Sequence, residues 1–300
     1  MPDGPMNPRI VQAGGFLAVR VGDVELFRYV CRPVTTPFEG PKPYLHPVRT
    51  LVGDVVTAYR PHDHRWHKGI QMTATDVSGQ NFWGGVTYVR DKGYVDLPNV
   101  GAMRSEELVV IDTTSDCVAF TERLTWHTQA GEHWVDEVRE FAVQDIDGES
   151  WALLFTTELT NVRGEPLVFG SPTTNGRDLA GYTGLFWRGP REFTDGEIIA
   201  ADGQAGPDLM GKEAAWLAYV GHHDEVDRSS TLLFLDHPDN GVTRWFVRET
   251  PFPAVNPSFA FFDPLELAPG EKLSLRYRVV VATGAWDRTR IESYVEGHPW

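Results

Sequence analysis

Apolar and polar residues alternate with period two along most of this chain, the pattern of strands that bury one face. LAVRVGDVELFRYV (17–30) alternates on both sides of Gly22-Asp23 and predicts a β-hairpin. The stretch 116–145 repeats this: Leu124 and Trp126 alternate toward a turn near Ala130-Gly131, and Trp134, Val138 and Phe141 follow. WALLFTTELTNV (151–162) and EPLVFGS (165–171) read as a pair joined across Arg163-Gly164. STLLFLDH (230–237), TRWFVRE (243–249) and EKLSLRYRVVVAT (271–283) complete the strand set. Helical signals are few: 287–297, with Gly297 beyond its end, and a short candidate within 207–220. With 29 glycines and 21 prolines spread evenly and no linker-like stretch, the pattern predicts one domain over 1–300. The expected fold is all-β: a large antiparallel β-supersandwich with few short helices.

Composition narrows the partners. Forty-two acidic against 27 basic residues give a net charge of −15, a field that repels nucleic acid and anionic membrane surfaces. No run of about 18 apolar residues could cross a bilayer. The N-terminal stretch lacks a basic segment followed by an apolar run, so a cytoplasmic location is expected. Two cysteines, Cys31 and Cys117, make neither a disulfide framework nor a zinc ribbon. Exposed strand edges leave room for a homodimer.

Three clusters carry candidate chemistry. The first is HPVRT (46–50) running into YRPHDHRWHKG (59–69). His62 and His64 lie two residues apart, and a turn could bring His67 to them. Such imidazoles can serve as acid–base groups, or as ligands for zinc, manganese or iron with Asp63 as an oxygen partner; the metal set would be His62, His64 and His67. The alternative is a loop whose histidines bond backbone, anchored by Trp66. The second cluster is FLDHPDN (234–240) with TRWFVRE, holding Asp236, His237, Asn240, Arg248 and Glu249; its alternative is an Asx-type turn. The third is aromatic: NFWGG (81–85) with Trp83, Tyr88 and Tyr94 nearby, and GYTGLFWRGPR (181–191). Glycine-flanked rings suit stacking on sugars as well as core packing, and ten tryptophans favour a carbohydrate ligand. No GxSxG, GxxxxGK[ST] or HExxH occurs, so serine hydrolase, P-loop and zincin chemistry lack support.

HPVRT, DHRWHKG, NFWGG, GYTGLFWRG and DHPDN together resemble a bacterial family of unknown function carried as "PmoA-like", over about 15–285; its label implies a methane oxygenase. The order of pieces is also similar to galactose-mutarotase-like enzymes, which act on sugars. His67-Lys68-Gly69 looks like their His-Gly element. NVRGEPL (161–167) looks like their N-x-x-G-x-P-L. RETPFPAVN (248–256) before LAPGEKLSLRY (267–277) looks like their late segment, with Glu249 where the base would lie. Where mutarotases place a histidine after the second element, this chain has Ser171-Pro172-Thr173-Thr174-Asn175, so the resemblance moves the acid to the 62–67 loop or to His237.

The expectation is a carbohydrate-processing enzyme, an epimerase, lyase or hydrolase of a sugar or modified sugar. His64, His67, His237, Asp236 and Glu249 are its catalytic candidates. His46, Arg49, Lys68, Trp83, Asn240, Arg248 and Asn256 are its substrate contacts. The alternatives are a non-catalytic carbohydrate-binding or regulatory module, and a metal-dependent oxygenase.

Overall fold

A computed structural model describes residues 7–114 and 116–300. Two eight-stranded antiparallel sheets dominate it. The first runs, in spatial order, Pro8–Ala13, Phe16–Val21, Val24–Val30, Tyr44–Val48, Ile70–Ala74, Thr183–Arg188, Ala254–Ser258, Arg244–Arg248. The second runs Glu197–Ala200, Trp216–His222, Ser229–Asp236, Lys272–Thr283, Ser150–Asn161, His133–Gln144, Val118–His127, Ala102–Thr113. The all-β antiparallel sandwich expected from the alternation is therefore present, and the hairpins around 22–23 and 128–132 close as the pattern predicts.

Between the sheets lies a continuous apolar core. From the first sheet Tyr29 meets Phe120 and Phe141, Phe27 meets Trp151 and Trp187 meets Phe234 of the second, with the Phe120 and Phe141 rings stacked at 4.5 Å. The outer face of the second sheet is covered by the helix Arg288–Gly297, which packs Ile291 and Tyr294 against Trp216 and Leu233. Asp287 caps that helix by accepting a hydrogen bond from the Arg290 amide at 2.9 Å. Gly297, expected beyond its end, is its last residue.

Two expectations are corrected. The 151–162 and 165–171 stretches are both strands but do not pair. Ser150–Asn161 bonds His133–Gln144 and Lys272–Thr283, whereas Leu167–Gly170 joins a small sheet with Leu265–Leu267 and Asp76–Val77. The turn between them is held instead by the Asn161 amide, which donates to the Glu165 and Leu267 carbonyls at 2.8 Å each. Second, the short helical candidate within 207–220 is confined to a single 3-10 turn of helix at Pro207–Leu209, and the apolar part beyond it is the strand Trp216–His222. Trp216, Ala218 and Val220 pack beneath the terminal helix while Leu217 and Tyr219 enter the main core. A strand buried on both faces loses its alternation and reads like a helix.

The outer face of the first sheet positions the candidate site. Along Thr183–Arg188, Leu185 and Trp187 point into the core, so Phe186 and Arg188 point outward. Along Arg244–Arg248, Trp245 and Val247 point in and Phe246 points out with Arg248. Loops fold over this face, and a cavity of about 230 Å³ opens between them and the sheet.

Candidate active site

The histidine loop is built by its own backbone. Tyr59 and Lys68 form a β-bridge at its base, and the Arg60 amide donates to the His67 carbonyl at 2.8 Å. Two turns follow inside, His64 N to Pro61 O at 3.0 Å and His67 N to His64 O at 2.9 Å. Gly69 lets the loop re-enter the sheet: its φ is +59°, and a Cβ there would lie 2.0 Å from the Leu45 carbonyl oxygen. The side chains of Arg60 and Lys68, flanking the loop, both grip the buried Glu39 carboxylate, at 2.6 and 3.0 Å.

These turns place His64 and His67 side by side, ring centroids 4.8 Å apart, on the cavity wall. His67 is buried and packs against Trp83 (4.9 Å) and Phe186 (5.1 Å); His64 is half-exposed and meets Phe252 at 5.0 Å. Trp66, Tyr182 and Phe246 extend the aromatic lining, and Tyr94 reaches over from the hairpin of Thr87–Val89 with Gly93–Val95. The Tyr94 and Tyr182 hydroxyls are 3.1 Å apart. Arg177 and Arg248 supply the positive charge.

Both histidines are held toward the neutral form. Burial lowers the pKa of His67 well below the usual value, and the positive groups around it, Arg188 among them, add to this. For His64 burial also wins, opposed by the adjacent Asp63 carboxylate, whose oxygen lies 3.6 Å from Nδ1. Burial raises the pKa of Asp63, but hydrogen bonding, chiefly from Arg191 at 2.8 Å, outweighs it and sets the value at about 2. Asp63 therefore stays charged behind His64. The Nδ1 of His67 and the Nε1 of Trp66 are buried without a hydrogen-bond partner among the described residues. Orphaned polar atoms are costly in an apolar wall and call for a polar ligand or water.

The structure gathers part of the expected set. His64, His67, Trp83 and Arg248 line the cavity. His62 is exposed and outside it, so the expected metal set of His62, His64 and His67 does not assemble. Among the described residues no group of three His, Cys, Asp or Glu side chains is arranged to hold a metal.

Glu249 follows Arg248 on the same strand end and turns to the opposite face, near Tyr219, so it does not enter the cavity. Asp236 ends a strand of the second sheet, His237 and Asn240 lie in the turn that follows it, and none of the three lines the cavity. They form a short turn, but not the Asx-type turn of the alternative reading: His237 Nδ1, not Asp236, accepts from the Asp239 amide at 3.0 Å, and Asn240 Nδ2 donates to Asp236 at 2.6 Å. Burial raises the Asp236 pKa to about 6.

His46 stacks on Tyr59 at 5.1 Å and bonds Thr57 at 2.9 Å, while Arg49 pairs with Glu25 at 3.6 Å; neither reaches the cavity. Lys68 is committed to Glu39. Asn256 is fully buried, where it accepts from the Thr183 amide at 2.9 Å and donates to the Leu185 carbonyl at 2.6 Å, joining two strands under the site.

Arg177, Glu39 and Lys42 escaped the sequence reading, since nothing in FEGPKPY or NGRDL marks them. One other chain, Glu192–His223–Ser230, has the order of a catalytic triad, with contacts of 3.1 and 2.6 Å. Its serine is fully buried and out of reach of a substrate.

Comparison with solved structures finds remote likenesses. A galactose 1-epimerase from Lactobacillus acidophilus matches at 8% identity and a TM-score of 0.44, covering 93% of this chain and 100% of that one. A GalM/aldose epimerase homologue from C. elegans matches at 10% and 0.32, with coverage of 93% and 100%. A TPR-domain containing protein from Parabacteroides distasonis matches at 12% and 0.41 over 91% of this chain; the chain spans about half of it, 48%. Likenesses at this level say nothing about activity. No curated protein matches. No helix among the described residues is long and apolar enough to cross a membrane. Over residues 17–296 the sequence matches the model described as a family of unknown function (DUF6807), a description without the methane-oxygenase label, and the chain belongs to that family.

Proposed function

We propose that the chain is an enzyme that binds a sugar or modified sugar in the aromatic cavity and removes a proton from the carbon next to a carbonyl, with His64 as the base. The observation that carries this is the pair of neutral histidines, His64 backed by Asp63 and His67 with its Nδ1 unpartnered, set in a wall of stacking-competent rings. Neutral imidazole accepts a proton near pH 7, and such transfer is worth on the order of 10²–10⁴-fold in rate. Once His64 is protonated, the Asp63 carboxylate at 3.6 Å stabilises the imidazolium. The electron pair left by the departing proton moves onto the substrate oxygen, where His67 or Arg248 can donate a hydrogen bond.

The lining narrows the reaction class. Among the described residues no aspartate or glutamate lines the cavity. Glycoside hydrolysis by two opposed carboxylates has no support there, nor does a mutarotase-type base at Glu249. An epimerase, isomerase or lyase step remains.

The test is solvent exchange. Aldoses, ketoses and sugar acids are incubated with the protein in D₂O and followed by proton NMR. Loss of a carbon-bound proton signal with wild type, and none with His64→Asn, is expected. Binding of a sugar with no exchange by wild type would sink the catalytic reading and leave a carbohydrate-binding module.

A further inference from the structure

Resting on the reading above, we propose that the ligand of this cavity carries a carboxylate, bound by Arg248 with Arg177 at the rim. The charge balance of the chain makes the local one informative. In a protein of net charge −15, the described residues that line the cavity include two arginines and no acid. Other arginines of the neighbourhood are neutralised: Arg191 pairs with Asp63 at 2.8 Å, Arg60 with Glu39 at 2.6 Å and Arg244 with Glu213 at 2.9 Å. Arg248 has no carboxylate partner among the described residues. Its guanidinium lies against Phe246 (5.3 Å) and Phe252 (5.8 Å), which orients the plane and leaves its N–H edge uncommitted.

A second observation points the same way. Arg188 is fully buried, with its guanidinium 3.7 Å from the Phe252 ring centroid. None of its three nitrogens has a hydrogen-bond partner among the described residues. Positive charge is thus stored both on and behind the Phe252 wall, a cost to the fold that an anion in the cavity would offset.

The form of the donors favours a carboxylate over a phosphate. A guanidinium fork matches the two oxygens of a carboxylate. Phosphate sites commonly add a nest of free backbone amides. Here the amides of the glycine loop on the cavity wall are already used: Trp83 N and Gly84 N donate to Asn81 Oδ1 at 2.8 and 2.9 Å, and Gly85 N donates to the Phe38 carbonyl at 2.7 Å. Arg177 donates to the Tyr94 hydroxyl and lies over its ring, placing the second cation where a sugar acid would enter.

The experiment is a calorimetric titration of the whole chain with D-glucuronate, D-glucose, D-glucose 6-phosphate and cyclohexanecarboxylate, for wild type, Arg248→Gln and Arg248→Lys. Circular dichroism and melting curves confirm that each variant is folded. Glucuronate should bind at least about tenfold more tightly than glucose, the worth of one charge-assisted hydrogen bond. Arg248→Gln should remove that preference, and Arg248→Lys, which keeps the charge but loses the fork, should retain part of it. Equal affinity for glucuronate and glucose would overturn the carboxylate and leave the sugar reading standing. Tighter binding of the phosphate would overturn the carboxylate in favour of a phosphosugar. Arg248-dependent binding of cyclohexanecarboxylate with no sugar bound would keep the anion site and overturn the sugar reading. Binding of no probe would overturn the proposal.

Discussion

Glu39→Gln is the substitution that most sharply tests how the histidine loop is held. Glu39 is 1% exposed and Lys68 3% exposed, and their ion pair spans 3.0 Å. Arg60 adds contacts to both carboxylate oxygens. Gln keeps the shape but removes the charge, leaving the Lys68 ammonium buried with Thr35 Oγ1 at 3.4 Å. The buried Lys42 nearby adds repulsion and offers no relief, its ammonium being held by the Gly40 and Trp83 carbonyls. Stranding one partner of a buried pair costs roughly 3–5 kcal/mol. An unfolding entropy of about 2.1 cal/mol/K per residue gives roughly 0.6 kcal/mol/K for this chain, so Tm should fall by about 5–8 °C. Acid supplies a control. Burial raises the Glu39 pKa, but hydrogen bonds from Arg60, Thr35 and Lys68 overcome it and hold the value at about 2. A carboxylate with a depressed folded-state pKa stabilises fully above its unfolded value near 4.5, and that stability is lost as pH falls through about 2. Calorimetry of both proteins from pH 8 downward should therefore show a constant gap to about pH 5 that narrows below 4.5. A Tm change under about 2 °C at pH 7, or a gap that widens in acid, would refute the reasoning.

Three further outcomes follow from particular contacts. Burial depresses the His46 pKa to about 4, so the unfolded chain binds a proton there that the folded chain does not; wild type should lose stability as pH falls from about 6.5 to 4, and His46→Gln should lose less, with equal slopes in chemical denaturation counting against it. Gly85 has φ +69°, and a Cβ there would lie 2.8 Å from the Trp66 ring, so Gly85→Ala should displace that ring and weaken ligand binding; an unchanged affinity would contradict the placement of Trp66. Asn256→Ala strands the Thr183 amide and the Leu185 carbonyl in the interior and should cost roughly 2–4 kcal/mol in urea unfolding, whereas a loss under about 1 kcal/mol would show that the two strands do not depend on it.

Much of the strand pattern was legible because alternation survives wherever one face meets the core, as in 17–30 and 116–145. Trp216–His222 was not, because both its faces are buried. The candidate site was legible in its composition: the histidine loop, NFWGG and GYTGLFWRG do converge. Period two, applied strictly, would have separated Arg248 from Glu249, since neighbours on a strand face opposite ways. The separation of Asp236, His237 and Asn240 from the loop depends on which sheet each strand joins, a long-range pairing that no local pattern encodes. Glu39 and Arg177 act through partners 21 and 83 residues away, Arg60 and Tyr94, and carry no local signature at all.

The most direct test of the cavity as the sugar site is histidine NMR. The imidazole Hε1 resonances of the ten histidines, assigned by single substitutions, are followed while a sugar acid is added. Saturable shifts concentrated on His64 and His67, with His237 and His62 unmoved, are predicted. Binding that shifts His237 and leaves His64 and His67 still would place the ligand elsewhere and contradict the assignment.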